Sequence, residues 1–239
     1  MIKIRDLTVV LGGQTILDGI NLDIPEGKKT VLAGQSGSGK SVLMKTVIGL
    51  IKPVAGNVFV DGEDVFSLDK KELNRLRRKM ALLFQGSALF DSMNVYQNVA
   101  FPLVEHQKMS QDEILKEVSE KLSLVGLEGV FYKMPPELSG GMKKRAALAR
   151  AIILNPKYII YDEPTTGLDP TISSDIIDLI NKLHLKYQNT GVIITHDIDC
   201  IDRTAEYMVV IGEKKIKYAG DYQRFLMTED PYCQQFIRR

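Results

Sequence analysis

The chain has 239 residues, of which 44% are hydrophobic and 26% charged, the usual composition of a soluble globular protein. Its 31 basic and 30 acidic side chains leave a formal net charge of +1, so the bulk charge predicts no attraction to nucleic acid or anionic lipid. No apolar run approaches the roughly 18 residues that a membrane span needs, and charges interrupt the N-terminal stretch MIKIRDLTVV, which argues against a signal peptide.

The cysteines and the C-terminus add to this picture. Cys200 and Cys233 form neither a metal-ligand spacing nor a CxxC motif, so we expect two reduced thiols in a cytoplasmic protein. The sequence ends at Arg239, soon after DPYCQQF, and we expect no longer C-terminal tail. Because no apolar run is long enough to span a membrane, a role at a membrane would be exerted from outside the bilayer, through a partner.

The N-terminal part of the chain carries the alternation of half-buried strands. Apolar residues alternate with polar ones over 20–24, Ile2 and Ile4 begin a similar pattern, and VFVDG (58–62) predicts a short strand that ends in a turn. These segments predict an antiparallel sheet near the N-terminus.

Short, continuous apolar runs follow. They are TVLA (30–33), MALLF (80–84), YIIY (158–161) and VIIT (192–195). Such runs are typical of parallel strands that are buried on both faces, and helical patterns lie between them. The sequence therefore predicts a mainly parallel α/β sheet.

A helical insertion interrupts this alternation. Ser110 and Glu113 have the spacing of a capping box, and apolar residues over 114–125 then fall on one helical stripe. We predict a mainly helical subdomain over about 90–150.

The motif GQSGSGKS (34–41) follows an apolar strand and precedes a helical pattern, as a phosphate-binding loop should. Glycines allow a tight turn whose backbone N–H groups, together with the helix N-terminus, attract an anion. Lys40 is expected to reach the β- and γ-phosphates, and the Ser41 hydroxyl to bind Mg²⁺. The alternative is a glycine-rich turn without a ligand. The predicted nucleotide-binding residues of this segment are Gly34, Gln35, Ser36, Gly37, Ser38, Gly39, Lys40, Ser41 and Val42.

Two carboxylates end the apolar strand in YIIYDEP (158–164). Burying acidic groups is costly unless a cation or a polar partner compensates. Asp162 is therefore a candidate Mg²⁺ partner, and Glu163 a candidate general base for an attacking water. A solvated pair at the end of a strand is the alternative.

A further motif, LSGGM (138–142), lies between these two and continues as KKRAALARA. The ordered set is GQSGSGKS, Gln85 in LLFQGS, LSGGM, YDEP, GLD (167–169) and His196 in ITHD, and it resembles the ABC ATPases over essentially the whole chain. The resemblance implies one nucleotide-binding domain over 1–239. Its fold would be α/β of the P-loop (RecA-like) type: a mainly parallel sheet core, an N-terminal antiparallel β subdomain and an inserted α-helical subdomain.

The resemblance also implies roles. Gln85 would contact Mg²⁺ and the attacking water, and His196 would bind the γ-phosphate. The tip of the signature helix would touch the nucleotide of the opposite subunit, with Asp169 at the dimer seam. The residues implied at that tip are Ser139, Gly140 and Gly141. We interpret His106 and His184 as structural or surface residues.

The partners implied are a second copy of the chain, held by ATP, and an integral membrane permease. The segment after Gln85 is rich in apolar and aromatic residues, and we name Phe90, Met93 and Tyr96 as candidates for the permease contact. An ordinary core of the helical subdomain is the alternative interpretation.

Two departures from the family pattern matter. No aromatic residue lies near Leu11 and Gly12, where many ABC ATPases stack the adenine, so base selectivity would be weak. Met142 replaces the usual glutamine, and the surrounding segments resemble the ATPases of Mla/Mce-type lipid transporters. That implies phospholipid transport in a double-membraned bacterium, with lipid-binding substrate proteins beyond the membrane.

Other functions stay open at this point. The cargo could be a small solute, or the protein could be a soluble ABC ATPase that acts on DNA or the ribosome. A degenerate regulatory head is disfavoured by the intact Lys40, Glu163 and His196. The basic stretch KKELNRLRRK (70–79) is interpreted as a solvated helix face rather than a nucleic-acid site.

Overall fold

The computed structural model describes residues 1–237, so the expectation about the end of the chain at Arg239 lies outside the described residues. The strands are β1 (Ile2–Leu11), β2 (Gln14–Ile24), β3 (Lys29–Ala33), β4 (Ala55–Val60), β5 (Glu63–Asp64), β6 (Met80–Leu83), β7 (Tyr158–Asp162), β8 (Thr190–Ile194), β9 (Tyr207–Gly212) and β10 (Lys215–Asp221). The helices are α1 (Lys40–Val47), α2 (Lys70–Arg77), α3 (Val95–His106), α4 (Gln111–Leu124), α5 (Gly140–Ile152), α6 (Pro170–Tyr187), α7 (Ile198–Thr204), α8 (Tyr222–Phe225) and α9 (Pro231–Gln234).

The predicted N-terminal antiparallel sheet has the strand order β2-β1-β4-β5. Ile2 pairs with Ile24 on one side and with Val60 on the other, and all three are buried. The alternation of apolar residues thus covers one face of this sheet, as the sequence predicted.

The larger sheet has the order β10-β9-β3-β8-β7-β6. Strands β9, β3, β8, β7 and β6 are parallel neighbours, and β10 returns antiparallel at the edge. The four predicted runs are four of these parallel strands, which confirms the α/β fold class. The sequence interpretation missed the hairpin β9–β10.

Neighbouring residues of each central strand supply two different cores. Val31, Ile159 and Ile193 face the helices of the insertion and of the C-terminal half. The adjacent Leu32 and Ile160 instead face α1 and the antiparallel sheet. Because successive strand side chains point to opposite faces, the continuous apolar runs follow from this double burial.

The helices α3, α4 and α5 lie between β6 and β7, as expected for an inserted helical subdomain. The predicted capping box is present, since Ser110 Oγ accepts a hydrogen bond from the Glu113 N–H and the Glu113 carboxylate accepts one from the Ser110 N–H. The helical stripe behind it, Ile114, Val118 and Leu122, is buried. It remains a prediction that residues 1–239 form one domain and that the helical subdomain within it extends from about 90 to about 150.

The basic stretch forms α2, in which Leu76 is the buried residue. Asp69 and Glu72 close a capping box at its start. The charged side chains of this helix are exposed except for Arg77, which is half-buried and donates hydrogen bonds to backbone carbonyl oxygens after α1. Within residues 1–237, no helix is both long enough and apolar enough to cross a bilayer.

The packing of α5 against α6 gives a stability prediction. A Cβ on Gly141 would lie 2.6 Å from Ile172 Cγ2, and Ile172 is β-branched and stiff. We expect Gly141→Ala to lower the free energy of unfolding by about 1–3 kcal/mol, as other overpacked sites do. Chemical denaturation measures the difference.

Gly140→Ala is the matched control, because its Cβ would meet Leu168 Cδ2 at 3.4 Å, an ordinary contact. Its unfolding free energy should stay within about 0.5 kcal/mol of the native value. Equal losses in the two variants would contradict this account of the helix contact.

Candidate nucleotide-binding site

The segment between β3 and α1 forms a tight loop that only glycine allows. Gly34 and Gly39 have φ values of +157° and +99°. A Cβ on Gly34 would lie 2.4 Å from the Ile211 carbonyl oxygen, and one on Gly39 would lie 2.8 Å from Leu17 Cδ2. The loop is therefore held close to its neighbours, and α1 starts directly from it.

The loop has the polarity that an anion requires. Lys40 is 7% exposed, and its Nζ donates hydrogen bonds to the carbonyl oxygens of Gly34 (2.8 Å) and Gln35 (2.9 Å). Burial lowers the pKa of Lys40, and the charges of Glu163 and Asp162 act in the opposite direction. The site is thus a buried ammonium beside the N-terminus of a helix.

One group in this loop points to a ligand. Ser38 Oγ is buried, and no residue of the described chain forms a hydrogen bond with it. Leaving a buried hydroxyl unpaired costs about 1–3 kcal/mol. A phosphate oxygen would accept a hydrogen bond from this hydroxyl, so the loop fits the phosphates of a nucleoside triphosphate.

The predicted metal ligands Ser41 and Asp162 lie together, although 121 positions separate them. Ser41 Oγ donates to Asp162 Oδ1 at 3.1 Å. Burial raises the pKa of Asp162, and the hydrogen bond from Ser41 partly offsets this. A cation would favour the ionised carboxylate, and a hydroxyl with a carboxylate oxygen is a ligand pair suited to Mg²⁺.

Glu163 follows β7 in a left-handed backbone conformation, with φ +50°. That conformation costs a non-glycine residue about 1–2 kcal/mol, and the Glu163 N–H is fixed by a 2.9 Å hydrogen bond to the Ile194 carbonyl oxygen. Its carboxylate, whose side chain is 14% exposed, lies 3.0 Å from His196 Nδ1 and accepts a 3.0 Å hydrogen bond from Thr166 Oγ1. Glu163 and His196, two of the four predicted catalytic residues, are therefore in direct contact; the other two are Gln85 and Lys40.

Gln85 follows β6 and is exposed. Its carbonyl oxygen accepts a hydrogen bond from Lys144 Nζ, which also donates to the Glu163 carbonyl oxygen at 3.3 Å. The sequence interpretation missed Lys144, because a lysine in a basic run gives no signal of burial.

The signature motif begins α5. Ser139 is its N-cap and accepts a 3.3 Å hydrogen bond from the Met142 N–H. Asp169 caps α6 in the same way through the Ile172 N–H. Ser139, Gly140 and Asp169 are exposed, whereas Gly141 is buried against α6.

The other histidines lie elsewhere. His106 is exposed at the end of α3. His184 is 8% exposed in α6, 3.6 Å from Glu206, and burial lowers its pKa, which favours the neutral ring. Among the hydrogen bonds of residues 1–237, none joins either histidine to the carboxylates of Asp162 and Glu163.

A cavity of about 840 Å³ adjoins the phosphate loop. It is lined by 13–16, by 35–38, by the β9–β10 turn and by Tyr232 of α9. The Tyr232 hydroxyl donates to the Ile211 carbonyl oxygen at 3.2 Å. Leu11, which is 39% exposed, is not among the lining residues, whereas the ring of Tyr232 is. The sequence interpretation did not consider an aromatic residue from the C-terminal region.

A groove of about 1090 Å³ is lined by residues of α2, β6, α3 and α5. Its lining combines cations and aromatic rings, among them Lys70, Lys71, Arg78, Phe84, Phe90 and Phe101. Phe90 is 43% exposed there. Tyr96 instead stacks on Phe131, with ring centroids 6.1 Å apart, and packs against the core.

Comparisons with known proteins show which chains this one is similar to. The chain is 42% identical over 236 residues to the "Probable ribonucleotide transport ATP-binding protein mkl" of Mycobacterium leprae, covering 99% of this chain and 68% of that protein. It is 39% identical over 238 residues to the "Intermembrane phospholipid transport system ATP-binding protein MlaF" of Haemophilus influenzae, covering 100% of this chain and 90% of that protein.

A solved structure is also similar. It is a dimeric post-hydrolysis state of the ATP-binding cassette MJ0796 bound to ADP and Pi, with a TM-score of 0.84 and 32% identity, covering 92% of this chain and 98% of that one. The family described as "ABC transporter" matches residues 17–166. This chain belongs to the ABC transporter family, as one of its ATPase subunits.

Proposed function

We propose that two copies of this chain hydrolyse Mg²⁺-ATP at their shared interface and so drive a membrane permease that moves phospholipid between bacterial membranes. The observation that carries the catalytic part is the contact between Glu163 and His196, beside the Ser41–Asp162 pair. This arrangement supports a general base next to a phosphate and metal site.

Within one subunit, Glu163 would take the proton of the attacking water while His196 and Lys40 bind the γ-phosphate. Ser41 and Asp162, with Gln85, would hold Mg²⁺, which supplies charge neutralisation on the phosphates. The rest of the phosphate loop, 34–42, would bind phosphate oxygens through its backbone N–H groups.

The second subunit would complete the site. Ser139 and Gly140 are exposed at the N-terminus of α5, whose dipole favours a γ-phosphate. ATP would then join two subunits by contacting both, and loss of the γ-phosphate after hydrolysis would release them. Exposure of Asp169 beside this helix supports a place at the same seam.

The groove beside Phe90 supports a permease contact, because it combines exposed aromatic rings with cations. Met93 is half-buried, and its N–H donates to the Phe90 carbonyl oxygen at 3.1 Å. The packing of Tyr96 favours the core alternative. The chain would form a single nucleotide-binding domain over 1–239. Its contact with the permease would hold it at the cytoplasmic face of the inner membrane. Its helical subdomain, about 90–150, would carry the contact.

The cargo is argued from two relatives whose names differ. One is named for intermembrane phospholipid transport and the other for ribonucleotide transport. The chain covers 90% of the first and 68% of the second. Together with the Mla/Mce-like LSGGM segment, this favours phospholipid, with lipid-binding substrate proteins as additional partners and no nucleic acid.

A tag on this chain tests the proposal by purification from detergent-solubilised membranes. We expect a multi-span protein and a lipid-binding protein in the complex. We also expect faster ATP turnover in phospholipid vesicles than in detergent with an added pyrimidine ribonucleoside monophosphate, which lacks the triphosphate that the phosphate loop would bind. Recovery with ribosomes or DNA alone would overturn the transport role. Stimulation by the monophosphate and not by lipid would contradict phospholipid as the cargo.

A further inference from the structure

Lys144 is a buried cation in the second turn of α5. The residue is 4% exposed, although it follows the exposed tip of the signature helix. Removing an ammonium from water costs several kcal/mol unless partners compensate. A site this costly is expected to have a specific structural reason.

The partners of Lys144 belong to two different catalytic segments. Its Nζ donates to the Gln85 carbonyl oxygen after β6 and to the Glu163 carbonyl oxygen after β7. These strands are parallel neighbours, with Leu83 paired to Tyr161. A side chain from the inserted helices thus joins the carboxyl ends of two strands of the sheet.

Negative charges near Lys144 favour its ammonium form at this buried position. Burial lowers its pKa, and the negative charges of Asp162 and Glu163 raise it again. The same two carboxylates oppose the burial effect at Lys40. The carboxylate pair is therefore flanked by two buried lysines, one from the phosphate loop and one from the signature helix.

The backbone of Glu163 depends on contacts of this kind. Its φ of +50° is unfavourable for a side-chain-bearing residue, so surrounding bonds must maintain it. The N–H is held by the Ile194 carbonyl, and the carbonyl oxygen accepts hydrogen bonds from Lys144 Nζ at 3.3 Å and from the Thr166 N–H at 3.4 Å. Loss of Lys144 leaves the long bond from Thr166 as the remaining hydrogen bond to that carbonyl oxygen, and Thr166 follows in the same loop.

We propose that Lys144 is a positioning residue for hydrolysis. It fixes the backbone of Glu163 relative to that of Gln85, and it ties both to the helix whose tip carries Ser139. The inference rests on the proposed role of Glu163 as the general base. Rotation of the helical subdomain would thereby change the placement of the base in the same subunit.

The experiment compares Lys144→Met with Lys121→Met in the complex purified through a tag on this chain. Lys121 is also a buried lysine of the helical region, 3% exposed, and it donates to Asn155 Oδ1 and the Tyr187 hydroxyl, both at 2.9 Å. We expect Lys144→Met to lower kcat roughly 10- to 100-fold, because a displacement of about 1 Å can cost about 10²-fold. KM for Mg²⁺-ATP should stay within about threefold, since the phosphate loop is untouched.

Lys121→Met should keep kcat within about twofold while lowering Tm as much as Lys144→Met does. Lys144→Arg, which keeps the charge and donors, should recover most of the lost kcat. A native kcat in Lys144→Met, a parallel loss in Lys121→Met, or no recovery in Lys144→Arg would overturn the proposal. If the methionine variant does not fold, Lys144→Gln replaces it with the same expectation.

Glu163→Gln, measured in parallel, separates this inference from the proposed function. Full turnover in that variant would refute the base and, with it, the role of Lys144. Lost turnover in Glu163→Gln together with native kcat in Lys144→Met would refute Lys144 alone.

Discussion

Glu163→Gln is expected to abolish steady-state ATP hydrolysis while the protein still binds ATP. Glutamine keeps the shape and can still contact His196 and Thr166, but it cannot take a proton from water. Loss of a general base typically lowers the rate by about 10²–10⁴-fold. Phosphate release and equilibrium ATP binding, measured on one preparation, give both quantities.

The same variant should form a long-lived dimer with Mg²⁺-ATP, because the γ-phosphate, which joins the two subunits in the proposed function, is not removed. Size-exclusion chromatography or light scattering measures this state. Exposed Glu229→Gln controls for the loss of one carboxylate and should turn over ATP normally. A Glu163→Gln protein that stays monomeric with Mg²⁺-ATP, with and without its permease, would contradict Glu163 as the base or this dimer seam.

Lys40→Ala is expected to weaken nucleotide binding itself, not only turnover. The Lys40 ammonium is buried in the phosphate loop, and hydrogen bonds to charged groups contribute about 1.5–3 kcal/mol. The Kd for ATP should therefore rise roughly 10- to 150-fold. Calorimetry or a fluorescent nucleotide measures the change.

Lys52→Ala removes the same charge from an exposed position after α1 and serves as the control. Its Kd should not differ measurably from that of the native chain. Unchanged affinity in a folded Lys40→Ala protein would remove the phosphate loop from the proposed site.

The parallel strands and the phosphate loop were predictable because each depends on local residues. TVLA and GQSGSGKS are adjacent in sequence and remain adjacent in β3 and the loop after it. The pairing of Ser41 with Asp162 was also predictable, since the carboxyl ends of parallel strands meet at one edge of a sheet.

The hairpin β9–β10 was missed for a different reason. Its second strand, KIKYAGD, alternates exposed and half-buried residues at a sheet edge, so its apolar content is low. The first strand, YMVVIG, is buried like its parallel neighbours, and its apolar run alone would have supported a strand.

Lys144 and Tyr232 could not be predicted from local patterns. A lysine within KKR is most often solvated, and burial of Lys144 arises only when α5 packs beside β6 and β7. Tyr232 reaches the phosphate loop because α9 returns against the end of β9, where its ring lies over Gly212. Both are consequences of long-range packing that periodicity does not encode.

The way the helical insertion is joined to the sheet limits how it can move. The chain leaves β6 at its carboxyl end and enters β7 at its amino end, and because these strands are parallel neighbours, the two joins lie at opposite ends of this strand pair. The two joins alone would let the insertion turn about the line between them, but α5 is also packed against α6 at Gly141 and bonded to both strand ends through Lys144. Any such turn therefore has to carry Lys144 with it, whereas exchange of α3 or α4 could suit the insertion to a different membrane protein without altering these contacts of α5.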